Sequence, residues 1–173
     1  MRTSLCIAAA ALVLAAPAAA RGETSPPDAP AGGLALAASL AAGGEAGLSS
    51  GKAGLLELEA LAGWEIPATA ARAGLTLRPE LALILGSAPD AHVALRPGLR
   101  VSIPETPLWL RAAVDWSNAR GKDPRWRWVL VGVAWEVRLT AFLGLSFEAD
   151  TGVPVSGSAG LPLLVRAGAI FRP

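Results

Sequence analysis

The chain has 173 residues, 53% of them hydrophobic but only 5% aromatic, with 15 basic residues against 14 acidic ones and one cysteine. That length is one domain, and the near-neutral charge leaves no basic patch or polybasic run to hold nucleic acid. Cys6 lies inside the N-terminal apolar segment, so the remainder carries neither a disulfide scaffold nor a thiolate metal site.

Residues 1–20 have the layout of a secretory signal peptide. Arg2 is the positive start, Leu5–Ala16 the apolar stretch, and Ala18–Ala20 a small-residue cleavage site. An uncleaved anchor is the competing reading, because Thr3–Ala20 carries no charge and nearly spans a bilayer. The cleavage pattern favours removal. Residues 21–32, Pro-rich from Glu23 to Gly32, read as a flexible leader, and residues 33–173 as the folded domain.

From Leu55 onward the chain keeps a two-residue beat. In Ala91–Ile103, His92, Ala94, Arg96, Gly98, Arg100 and Ser102 alternate with Val93, Leu95, Pro97, Leu99, Val101 and Ile103. Successive strand side chains point to opposite faces, so the beat predicts strands with one apolar and one charged side. Eight are expected: Leu34–Ala42, Leu55–Ile66, Ala70–Leu85, Ala91–Ile103, Leu108–Ser117, Arg127–Leu139, Thr140–Asp150 and Leu161–Arg172. The first competes with a short helix, since alanine favours helix.

The expected connections alternate in length. Gly43–Ala53, Gly86–Asp90, Asn118–Trp126 and Thr151–Gly160 are long or polar. Pro67–Thr69, Pro104–Pro107 and the junction Leu139–Thr140 are short. In an antiparallel meander this gathers the longer loops at one end, as in an outer-membrane barrel.

Alternation alone does not say which face is out, because a lipid-facing barrel and a soluble lipocalin-like barrel differ only in being turned inside out. The polar face holds Arg72, Arg78, Arg96, Arg100, Arg111, Arg138, Arg166 and Arg172 against Glu57, Glu59, Glu65, Glu80, Asp115, Glu136, Glu148 and Asp150, with glycines between and no lysine or amide. Balanced arginine–carboxylate sets with small spacers suit a narrow lumen, where buried charge must be paired. The opposite face, including Leu75, Leu83, Leu110, Val131 and Leu163, is free of charge between strand ends. Trp64, Trp109, Trp135 and Phe171 fall toward one set of strand ends, and Trp116, Trp126, Trp128 and Phe147 toward the other, as two membrane-interface belts would.

These features resemble the small eight-stranded outer-membrane β-barrel proteins of Gram-negative bacteria, over about Leu34 to Pro173. The resemblance is one of architecture, without a short diagnostic motif. It implies an all-β, up-and-down transmembrane barrel with a charged, side-chain-filled lumen. Such proteins end in an alternating strand closed by an aromatic, read by the outer-membrane assembly machinery. Leu161, Leu163, Val165, Ala167, Ala169 and Phe171 keep that pattern, although Arg172 and Pro173 follow the aromatic.

Eight strands leave only enough room for side chains, so the expected role is structural or surface-interacting rather than that of a general pore. The charged loop Asn118–Trp126, with Arg120, Lys122, Asp123 and Arg125, could meet lipopolysaccharide phosphates or simply be solvated. A secreted soluble barrel binding an apolar ligand is the alternative; a small lipid-modifying enzyme is a third. Ser87, Asp90 and His92 are the residue types of a hydrolytic triad, and Glu57 and Glu59 have the spacing for a cation or for arginine pairs. No catalytic or metal residue is assigned, and no cofactor is expected.

Overall fold

The structure, a computed structural model, describes residues 32–48, 51–68, 74–88, 90–119, 123–155 and 160–173. The signal-like segment, the leader up to residue 31 and Arg72 lie outside the described residues. Eight strands run in chain order: β1 Gly33–Leu48, β2 Gly51–Pro67, β3 Thr76–Ala88, β4 His92–Ser102, β5 Leu108–Ser117, β6 Arg125–Arg138, β7 Leu143–Pro154 and β8 Leu161–Phe171. Each pairs antiparallel with its neighbour and β8 closes on β1, giving an up-and-down closed barrel.

Following the pairing register once round the wall from Leu36 returns to β1 at Ala46, about ten residues along. For eight strands that shear sets a tilt of about 40° and a backbone radius of about 8 Å. The near end carries Gly33, Phe171 and the ends of the strands joined as β2–β3, β4–β5 and β6–β7; the far end carries those joined as β1–β2, β3–β4, β5–β6 and β7–β8.

β1 is a strand and not a helix. Its alanines find ladder partners on both sides, from Leu36↔Phe171 and Leu36↔Ala62 up to Glu45, and this tertiary pairing overrides intrinsic helix preference. The alternation of long and short connections does not hold. Gly43–Ala53 is mostly strand, because Gly43, Gly44 and Glu45 continue the β1–β2 ladder and β2 starts at Gly51. The longest connection, residues 68–75, falls at the near end where a three-residue turn was expected. Gly74, two residues before β3, adopts a left-handed φ of 64°, which glycine takes without a β-carbon penalty.

The near-end turns are chemically specified. Pro104 and Glu105 occupy the centre of a turn closed by the Thr106 amide on the Ile103 carbonyl (3.2 Å). Glu105 takes a φ of 61°, as the second central residue of a type II turn must. In residues 139–142 the Thr140 hydroxyl accepts the amides of Phe142 (3.2 Å) and Leu143 (3.0 Å). β7 therefore begins at Leu143, later than its pattern suggested.

Candidate functional site: the charged lumen

The strand period places the charged beat inside the barrel. Arg78, Arg96, Arg100, Arg111 and Arg166 are buried, as are Glu57, Glu59, Glu80, Asp115, Glu136, Glu148 and Asp150. The outer wall carries the other beat: Leu83 is 43% exposed and Leu163 58%, while Arg96 is 0%. Val131, a cavity-lining residue in the soluble reading, stands on the outer wall, and Leu75 is half-buried.

The lumen is organised in ionic tiers. At the near mouth Arg78 bonds Glu65 (3.2 Å) and Glu136, and its guanidinium lies 4.5 Å from the centre of the Trp109 ring. Arg172 turns back into the same tier, reaching Glu65 at 2.9 Å and Glu136 at 2.6 Å. The residue following the terminal aromatic thus joins the ion cluster of the near mouth.

In the middle, Arg100 and Arg111 stand directly opposite on β4 and β5. Like charges so placed repel, and two glutamates separate them. Arg100 binds Glu80 (2.7 Å) and Glu148 (2.6 Å), and Arg111 binds the other oxygen of each at 2.7 and 2.6 Å. Arg166 adds Glu59 and Asp150 (2.9 Å). Farther up, Arg96 holds Glu57 with both terminal nitrogens (2.7 and 2.8 Å) and Asp115 through Nε (2.5 Å). Such forks satisfy several buried donors and acceptors at once, without which the desolvated charges would be costly.

The space left is small. A cavity beside Ser39, Glu59, Ser146 and Arg166 measures about 10 Å³, roughly the room one water needs. Glycines make the close packing possible at two points. A Cβ on Gly132 would collide with the Asp150 carboxylate, and one on Gly86 with the His92 ring.

Two members of the far tier were not legible as lumen residues. Glu45 accepts from Arg127 Nη2 (2.6 Å) and from the Gly160 amide (2.6 Å), while Trp128 Nε1 donates to the Gly160 carbonyl (2.9 Å). Arg127 stacks over Trp128 at 3.9 Å. A β-bulge produces this: Asp115 pairs with Trp128 but Trp116 with Trp126, leaving Arg127 as the extra residue, so Arg127 and Trp128 both turn inward. The sequence signal was a break in parity, with charge at Arg127 but apolar residues at Val129, Val131 and Val133.

Several expectations are corrected. Arg138 has the inward parity but lies past Glu136 at the strand end, exposed at the rim. Trp109 and Trp128 are buried in the lumen, not set in an outer belt. Phe147 sits at the near end, packed against Trp135 with ring centres 5.7 Å apart, because the later start of β7 shifts it down. Trp64, Trp135, Phe147 and Phe171 are exposed toward the near end, and Trp116 and Trp126 toward the far end.

The triad residue types do not assemble. Ser87 is exposed, and His92 Nδ1 meets the backbone carbonyl of Asp90 (2.9 Å), while its Nε2 lies 3.8 Å from Glu57. Glu57 and Glu59 are engaged by Arg96 and by Arg111 and Arg166. Of the loop Asn118–Trp126, residues 120–122 lie outside the described residues.

No family model matches the chain, and no curated protein matches it in sequence. Among solved structures it is similar to one titled "De novo design of transmembrane beta-barrels", at 13% identity and a TM-score of 0.47, covering 82% of this chain and 95% of that one. The likeness is one of fold.

Proposed function

We propose that this chain is an integral outer-membrane β-barrel of a Gram-negative bacterium, exported through a cleaved signal peptide, with a structural or surface-interaction role and no enzymatic activity. The observation that carries the reading is the inversion of the wall: paired charges buried inside, leucine and valine exposed outside. In water an exposed apolar band encircling the molecule would be a liability; in lipid it is required. On β6, Trp126 and Trp135 bracket Val129, Val131 and Val133, and at the strand tilt their separation is about 20 Å along the axis, close to the height of an outer-membrane apolar band.

The ion-paired tiers and the water-sized cavity support a lumen closed to general diffusion. Outer-membrane lipid is then the principal partner, with lipopolysaccharide phosphates near the loop Asn118–Trp126, and the assembly machinery reads the alternating face of β8. The soluble alternative needs an apolar interior for its ligand, which the arginine tiers occupy.

Cell fractionation tests the location. The chain should appear in a detergent-extracted, heat-modifiable outer-membrane fraction, and recovery as a soluble periplasmic protein refutes the proposal. Single-channel recording in planar bilayers tests the lumen: a large, stable conductance refutes closure.

A further inference from the structure

The wall is not uniformly laced by backbone bonds. β3 and β4 pair without a break from Leu77↔Val101 to Gly86↔His92. The ladders on either side of this hairpin are each interrupted. Between β2 and β3 pairing stops at Gly63↔Glu80 and resumes at Ile66↔Leu77, skipping Trp64 opposite Pro79 and Glu65 opposite Arg78. Between β4 and β5 it stops at Leu95↔Trp116 and resumes at Gly98↔Ala113, skipping Arg96 opposite Asp115 and Pro97 opposite Val114. Both gaps fall at a proline, which has no N–H to donate to the opposing carbonyl.

At both gaps the residue just before the proline is an arginine, and its side chain crosses the same gap. Arg78 Nη1 reaches Glu65 at 3.2 Å, and Arg96 Nε reaches Asp115 at 2.5 Å. The skipped backbone pairs, Glu65 with Arg78 and Arg96 with Asp115, are thus the pairs joined by ion bridges. The β4–β5 edge has a further weakness, since Arg100 faces Arg111 across it and depends on Glu80 and Glu148 for cohesion.

We propose that the β3–β4 hairpin is a releasable panel of the barrel wall, latched along its two edges by the Arg78–Glu65 and Arg96–Asp115 ion pairs in place of the backbone bonds lost at Pro79 and Pro97. The β4–β5 edge parts first. Its gap lies mid-wall beside the facing Arg100–Arg111 pair, whereas the β2–β3 gap lies by the near mouth, where Arg172 also binds Glu65. Parting of that edge opens the lumen sideways through the wall rather than through either mouth. The inference does not depend on the membrane reading, because the latches are properties of the barrel itself.

Amide hydrogen exchange on the full chain in detergent micelles tests it. Asp115→Asn leaves Arg96 paired with Glu57 and strips the latch of its charge, reducing an ion pair to a neutral hydrogen bond. Exchange should rise about ten-fold or more in 93–99 and 112–117 while 145–151 and 163–169 stay unchanged, because local opening is confined to the unlatched edge. Adding Pro97→Val, which restores the missing donor, should return protection to that edge. Acceleration all round the barrel, no acceleration at the β4–β5 edge, or no recovery on adding Pro97→Val overturns the proposal. If Asp115→Asn fails to fold, Pro97→Val alone decides. It should slow exchange at the β4–β5 edge about ten-fold, and an unchanged rate there overturns the proposal.

Discussion

The inner and outer walls of this barrel are built from alternate residues of the same strands, yet they obey opposite rules. The inner wall is a set of interlocked ion pairs in which nearly every arginine serves two or three carboxylates. The outer wall is a band of leucine, valine and alanine whose side chains stand exposed, without specific partners such as the inner wall has. Inner residues are specified individually, each by the geometry of its partners, whereas outer residues are specified only by class. Substitutions on the two walls should therefore differ both in magnitude and in what the surroundings change.

The largest effect is expected inside. Arg96→Met leaves Glu57 and Asp115 buried without their common partner. Removing one member of a buried pair costs about 3–5 kcal/mol, read as a lowered urea midpoint for unfolding in micelles or vesicles. A loss below 1 kcal/mol would mean that the inner wall is as tolerant as the outer.

Next is Leu83→Arg on the outer wall. Leu83 is exposed midway along β3, and an arginine at the bilayer midplane costs about 2–4 kcal/mol. The same change should be nearly neutral in a soluble barrel, so equal stability of the two proteins in vesicles would erase the distinction drawn between the walls.

The smallest effect lies on neither wall. Glu105→Gly relieves a left-handed backbone position that a β-carbon disfavours, and should stabilise by about 0.5–1 kcal/mol. Thermal or urea unfolding would detect it, and a destabilisation would show that the Glu105 side chain has a role of its own.

Much of this was readable from the chain, for reasons that are local. A period of two is written residue by residue, so β5 is recovered with both its ends, Leu108 and Ser117, and the charged and apolar faces separate cleanly. The turn at Pro104–Glu105 is legible because proline presets its first central angle. What misled were places where the period continued without the structure, or broke within it. Arg138 keeps the parity of the lumen but outruns the wall, and Arg127 breaks the parity yet turns inward through a bulge. Gly43 and Gly44 look like loop until two neighbouring strands supply ladder partners.

By itself, then, the sequence determined that there are eight two-faced antiparallel strands and, away from the bulge at Arg127, which residues share a face, since side-chain alternation follows from backbone geometry alone. Only the tertiary structure decided that the charged face is inside, which carboxylate each arginine takes, and where the ladder gives way to side-chain latches. Those outcomes depend on how strands far apart in the chain are brought into register round a closed wall. A shear of about ten residues is a property of the closed wall that no single strand carries.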